Sequence, residues 1–132
     1  MSRKEPVEHK GRKIVGWVFT GLLTALFVMS AMGKITAGPN SEMGQNFIKY
    51  GLDGKLLLIA AGELAAAILF IIPRTAPLGV LLLSSHMGGA IATHMEHGES
   101  YVFQSIILLL VWLAAGIRLP EMFTRLNGKS KP

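Results

Sequence analysis

The chain alternates long apolar runs with short polar links. Residues 14–33 and 101–117 hold no titratable side chain apart from Tyr101, residues 56–72 hold only Glu63, and residues 76–93 hold only His86. Each run has 17 to 20 residues. At about 1.5 Å rise per residue, a helix of that length spans most or all of a bilayer's hydrocarbon core. None of the runs shows a polar face at a period of 3.6, which a soluble helical bundle would carry. The pattern therefore predicts an all-α, integral membrane four-helix bundle. It forms a single domain over residues 1–132, with spans near 14–33, 56–72, 76–93 and 101–117 and polar tails at 1–13 and 118–132.

The links refine this picture. Pro39-Asn40-Ser41-Glu42 reads as a turn into a helix start, with Ser41 or Asn40 as cap. Met43, Phe47 and Ile48 then recur at helical spacing, Tyr50 stands where an interfacial aromatic would, and Gly51 closes the segment. A short amphipathic outer helix is expected between the first and second spans. Pro73-Arg74-Thr75-Ala76-Pro77 is too tight a link for anything but antiparallel neighbours. The first span has a basic flank, as a secretory leader does. Its 20 uncharged residues and the three spans that follow favour an uncleaved helix.

Composition agrees. Charged residues make up 16% of the chain, against about 25% in soluble domains. Ten of the 13 Lys and Arg fall in the two tails and the link at Arg74, and three (Lys34, Lys49, Lys55) fall on the opposite side. That bias places both termini in the cytoplasm. The net charge of +5 is then a topology signal and an affinity for anionic headgroups, and no recognition element for nucleic acid accompanies it. With no cysteine, thiol chemistry within the chain is excluded.

Glu63 carries the strongest chemical signal. A carboxylate near the centre of a membrane helix costs roughly 2.5–3.5 kcal/mol on insertion scales, so it is normally paired, protonated or functional. It lies eight residues from Lys55, and His86 lies eight residues from His94. Both are thus about 12 Å from the same end of their helices. Two consecutive helices joined by a tight turn should bring Glu63 and His86 together, as a ligand or proton site or as a structural lock. Lys34 either reaches down to Glu63 or snorkels to the headgroups, the second being the default for a lysine at a helix end. Gln104, at the start of the last span, adds a further polar group. Gly62, Ser85, Gly89 and Thr93 form small-residue positions expected to let the helix backbones approach.

His94 and His97, flanking Glu96, have the i, i+3 spacing of a metal pair but lack a third and fourth ligand. Haem ligation by His86 would need a second axial ligand, from Met87 of a neighbour or a second subunit.

Four pieces of the sequence carry a family resemblance. They are Ser30-Ala31-Met32-Gly33-Lys34, Gly62-Glu63-Leu64, Ile72-Pro73-Arg74-Thr75-Ala76-Pro77-Leu78-Gly79 and Gly88-Gly89-Ala90-Ile91-Ala92-Thr93-His94. In this order and at this length the chain resembles the DoxX-like family of small four-helix membrane proteins. The resemblance implies a multi-pass protein of the bacterial inner membrane, in some relatives attached to quinone-linked oxidoreductase complexes. It supplies no universal catalytic residue, and His86 stands where many relatives are expected to have an aromatic side chain. Three functions follow as expectations. The first is a membrane subunit that binds a quinone or similar lipophile near Glu63, His86 and Lys34 for a redox partner protein. It would hold no cofactor of its own and would not be a stand-alone enzyme. The second is a small proton-coupled transporter, which needs self-association to form a path. The third is a scaffold without chemistry.

Overall fold

A computed structural model describes residues 7–122. Five helices follow one another: α1 (Val7–Thr36), α2 (Glu42–Lys49), α3 (Leu56–Ile71), α4 (Ala76–Glu96) and α5 (Val102–Arg118). The four longer ones pack as an antiparallel ring in the order α1, α3, α4, α5, with α5 closing on α1. Phe27, Ala67, Phe70, Val80, Leu83 and Val111 fill its interior.

The outer faces of the ring are as apolar as its core. Leu22, Met29, Leu57, Leu58 and Phe103 are 61–73% exposed, and only 28% of the most apolar window of α1, and of α4, is buried inside the bundle. In water such a surface would drive aggregation; against acyl chains it has no cost. α1 and α4 are long and apolar enough to cross a membrane, while α3 and α5 are equally apolar but have 16 and 17 residues.

The helices reach beyond the apolar runs where nothing breaks them. α1 starts at Val7, directly after Pro6, so Lys10, Arg12 and Lys13 are helical although residues 1–13 read as a polar tail. Lys and Arg are good helix formers, and no glycine or proline interrupts them until Gly11, which a helix tolerates. Residues 1–6 and 123–132, the remainder of the two expected tails, lie outside the described residues. α4 continues to Glu96 and is stopped by Gly98 in the left-handed conformation at φ 66°. Ser41 caps α2, its hydroxyl accepting from the Gly44 N–H at 3.0 Å.

The close approach of α3 and α4 lies elsewhere than at the small residues picked from the sequence. Gly62 and Gly89 face open space, with nothing within 4 Å of an added Cβ, and Ser85 is exposed. The inward stripe of α4 is Ala76, Gly79, Val80, Leu83 and Met87. At four-residue spacing, Ser85, Gly89 and Thr93 fall on a neighbouring face. Gly79 is the position that admits a backbone: a methyl there would overlap Leu69 and Phe70.

Arg118 also departs from expectation. It was assigned to the polar tail, yet it is 7% exposed. Its guanidinium lies 4.7 Å from the ring of Trp17 and 5.1 Å from that of Phe70, and donates to the Phe70 carbonyl in the last turn of α3. It thus caps one helix end while stacking on two aromatic faces. Across from it, Gly16 of α1 leaves room for the Arg118 backbone.

Gly79 and Gly89 therefore separate packing from propensity. Gly79→Ala should destabilise the bundle by about 1–3 kcal/mol through overpacking. Gly89→Ala should be neutral or stabilise by up to about 1 kcal/mol through helix propensity. Denaturant unfolding in micelles, followed by circular dichroism, distinguishes the two.

Candidate functional site

Polar side chains that the sequence scattered over three helices converge at one depth. Glu63 projects from α3 into the ring because it shares a face with Ala60, Ala66, Ala67 and Phe70, all buried. Its Oε1 accepts from Lys34 Nζ of α1 at 3.0 Å, and its Oε2 lies 2.9 Å from His86 Nε2 of α4. Lys34 also donates to Ser30 Oγ, one turn back on α1, at 2.6 Å. The Glu63 side chain is 2% exposed, that of Lys34 10% and that of His86 20%. Both carboxylate oxygens are thus occupied by groups that carry or accept positive charge, which is how a buried acid remains affordable in an apolar setting.

Lys34 corrects the default reading of a snorkelling lysine. Nothing polar is gained by turning away when a carboxylate and a hydroxyl lie within reach of its ammonium. Ser30, which contributes to this arrangement, was overlooked as a site residue. Its signal was the i, i+4 spacing to Lys34 on one helix face.

The triad closes one end of a cavity of about 940 Å³. Leu26, Phe27, Ile59, Met87 and Ile107 contribute apolar wall, and the Phe27 ring meets His86 edge-on with centroids 6.4 Å apart. Ser85, Gly89 and Thr93 line this space. The hydroxyls of Ser85 and Thr93 donate to carbonyls of their own helix at 3.0 and 2.8 Å. The expected packing ladder is therefore a cavity wall.

The opposite end of the cavity lies under α2. There Gln104 Nε2 is 3.0 Å from His94 Nε2, so Gln104 joins the rim and makes no bond to Glu63. Glu99, in the link before α5, accepts from Tyr50 at 2.6 Å and from Lys49 at 3.0 Å. His94 Nδ1 stands 3.0 Å from Glu99, near enough for charge attraction but not aligned as a hydrogen bond. His97 turns its Nδ1 to the Thr93 carbonyl at 2.9 Å, and its ring packs on Tyr50. Among the described residues no three His, Cys, Asp or Glu side chains gather as a metal site, and the two histidines point to different partners. The sequence marks Tyr50 as an interfacial aromatic and gives no sign of Glu99 beside it. Only folding places them together.

The donors on Glu99 act strongly. The Tyr50 hydroxyl, and after it Lys49, hold its carboxyl at about 2 from an ordinary 4.5, and the bond to Glu99 lifts the Tyr50 phenol from 10 to about 12.

A buried acid between two cation-capable partners, at the floor of a cavity in an apolar helical ring, defines a small helical protein with an internal polar site. The chain belongs to the DoxX-like family, whose sequence model matches residues 18–117. That range takes in Lys34, Glu63, His86, His94, Glu99 and Gln104. Comparison with curated proteins and with solved structures gives no match.

Two outcomes follow. Glu63→Leu strands the Lys34 ammonium in the interior and should cost about 3–5 kcal/mol, while Lys34→Met with Glu63→Leu should recover most of it, measured by unfolding in micelles. At the rim the signs are set by the two shifts. Stability from the Glu99 contacts is complete above pH 4.5 and fades as pH falls toward 2. Stability from the Tyr50 hydroxyl is complete below pH 10 and fades as pH rises through 12. A pH series of wild type against Glu99→Gln should therefore show a constant difference between pH 5 and 9 that vanishes in strong acid.

Proposed function

We propose that this protein spans the bacterial inner membrane four times, with both termini cytoplasmic, and binds a small lipophilic molecule of the quinone class on behalf of a redox partner protein. The observation that carries the reading is the polar floor of the cavity: Lys34, Glu63 and His86 joined at 3.0 and 2.9 Å beneath walls of Leu, Phe, Ile and Met. Binding sites for such ligands are mostly apolar with a few placed polar groups. The distribution of Lys and Arg supports the orientation. α3 and α5, though short, are apolar all round and alternate with the two long helices. A bilayer accommodates short spans by thinning or by snorkelling of flanking residues.

On this reading each residue has a distinct task. Lys34 retains donor capacity beyond its bonds to Ser30 and Glu63, because an ammonium has three N–H groups. It offers a hydrogen bond to a carbonyl oxygen. His86 keeps one ring nitrogen on Glu63 and offers the other to the ligand, as donor or acceptor according to its tautomer. Glu63 orients the ring and balances the charge when His86 takes a proton, as a carboxylate does behind a catalytic imidazole. The walls exclude water. The electrons that reduce a bound quinone come from the partner protein.

The test is calorimetric titration of the protein in nanodiscs with decyl-benzoquinone. Saturable binding in the micromolar range is expected. Ala90→Trp, which fills the cavity from α4, should abolish it, and Glu63→Gln should weaken it about tenfold. Equal binding to the wild type and to Ala90→Trp would show that the probe partitions into lipid and would defeat the proposal. Co-purification from native membranes under mild detergent identifies the partner.

A further inference from the structure

α2 covers the cavity but is barely attached to the ring. It contributes Glu42, Met43, Asn46 and Phe47 to the lining, and Ser41 and Tyr50 at its two ends do the same. Yet none of the four main helices packs along it, in contrast to their extensive packing on one another. Its connections allow movement. Gly38 precedes it, and Gly51 and Gly54 follow it at φ 75° and 77°, conformations that side-chain-bearing residues rarely adopt. Gly44 sits against the Gly38 carbonyl and Pro39, so α2 and its leading turn form one unit.

The attachment to the ring is concentrated at the other end of α2. Lys49 and Tyr50 both hold Glu99, and the Tyr50 ring meets His94 and His97 edge-on at 5.8 and 5.0 Å. Glu99 itself stands just beyond Gly98, between α4 and α5.

We infer that α2 is a hinged lid over the cavity, fastened by Lys49 and Tyr50 to Glu99, and that the ligand passes beneath it. The passage of ligand rests on the binding function proposed above; the lid does not. Five titratable groups face one another at the fastening: Lys49 and Tyr50 on the lid side, and Glu99, His94 and His97 on the ring side. The Tyr50 and Lys49 bonds to Glu99 persist across the range where cells live, since Glu99 protonates only near 2 and Tyr50 ionises only near 12. The lid therefore opens by thermal rupture of the fastening or by ligand and partner contacts, not by titration of Glu99 or Tyr50. A local opening of this kind breaks the side-chain bonds to Glu99 and withdraws the half-buried Met43 and Phe47, with no extensive helix packing to undo.

Hydrogen exchange with mass spectrometry on the whole protein in nanodiscs tests this without a ligand. In Glu99→Gln the amides of 42–49 should exchange about tenfold faster than in the wild type, while those of 83–94 in α4 keep their rates. Tyr50→Phe, which removes one hydroxyl and keeps the ring, guards against a misfolded Glu99 variant and should give a smaller change in the same segment. Unchanged exchange of 42–49 in both variants, or equal acceleration in α4, would overturn the lid. Stopped-flow binding of decyl-benzoquinone adds the second arm. Association and dissociation should both accelerate in Glu99→Gln with little change in affinity, and unchanged rates despite faster exchange would overturn passage beneath α2. Faster exchange in 42–49 with no binding by any form would refute the quinone-class reading and passage together, and leave the lid standing.

Discussion

The Glu63 carboxylate is the constraint on which the rest of the structure depends. It binds a lysine of α1 with one oxygen and a histidine of α4 with the other, while sitting on α3. Three helices are therefore fixed in register by one side chain. In lipid this matters more than in water, because apolar side chains gain nothing by leaving acyl chains for one another, and packing and polar contacts carry association. Such a triad adds little net stability over a well-packed apolar replacement, since desolvation offsets much of the attraction. What it supplies is uniqueness. A sliding of α3 by one turn, about 5.4 Å, would carry the acid out of reach of both partners and leave the ammonium without a counter-charge. α5, which the triad does not reach, is joined instead by Trp112 donating to Ser84 at 2.7 Å, by Gln104 at His94 and by Arg118 at Phe70.

The two ends of the ring solve opposite problems. At one end Gly79 lies against the backbone of α3, Ala66, Ala67, Ala114 and Ala115 are fully or almost fully buried, and Arg118 fills the remaining space between Trp17 and Phe70. Small residues and a stacked arginine make that end dense. At the other end polar pairs bridge the gaps between helices, and the space between them, walled largely by apolar side chains, is the cavity. A dense base lets the open half hold its shape, because the helices are already anchored where backbones meet.

The sequence made the helices legible because apolar length and the charge gaps between runs are local properties. The depth match of Glu63 and His86 was legible too, since rise per residue converts spacing into height. Helix rotation was not. Gly62, Ser85 and Gly89 rest on an assumption about which face meets which, Lys34 on the default of a helix-end lysine, and in runs that are apolar all round no moment fixes the angle that decides both. The long-range pairs Tyr50 with Glu99 and Arg118 with Trp17 and Phe70 were invisible for the same reason: each joins segments whose adjacency follows only from the closed ring. Gly79 had no mark to set it apart from the other glycines, because close approach is a property of two helices and the sequence describes one.

The same charge arithmetic also narrows what the cavity suits. A lone membrane carboxylate in a small exporter attracts cationic ligands when ionised and releases them when protonated. Here Lys34 stands at 3.0 Å from Glu63, so the ionised pair is neutral before any ligand arrives. A lipophilic cation would have to displace an ammonium from the carboxylate and leave that ammonium in an apolar wall. A neutral ligand meets no such penalty. It needs only an acceptor for the spare Lys34 donor and a group for the free edge of His86, with apolar surface elsewhere. Glu99 at the rim is likewise committed, to Lys49 and Tyr50. Both acids being already paired, the electrostatics suit the uncharged lipophile of the proposed function better than a lipophilic cation.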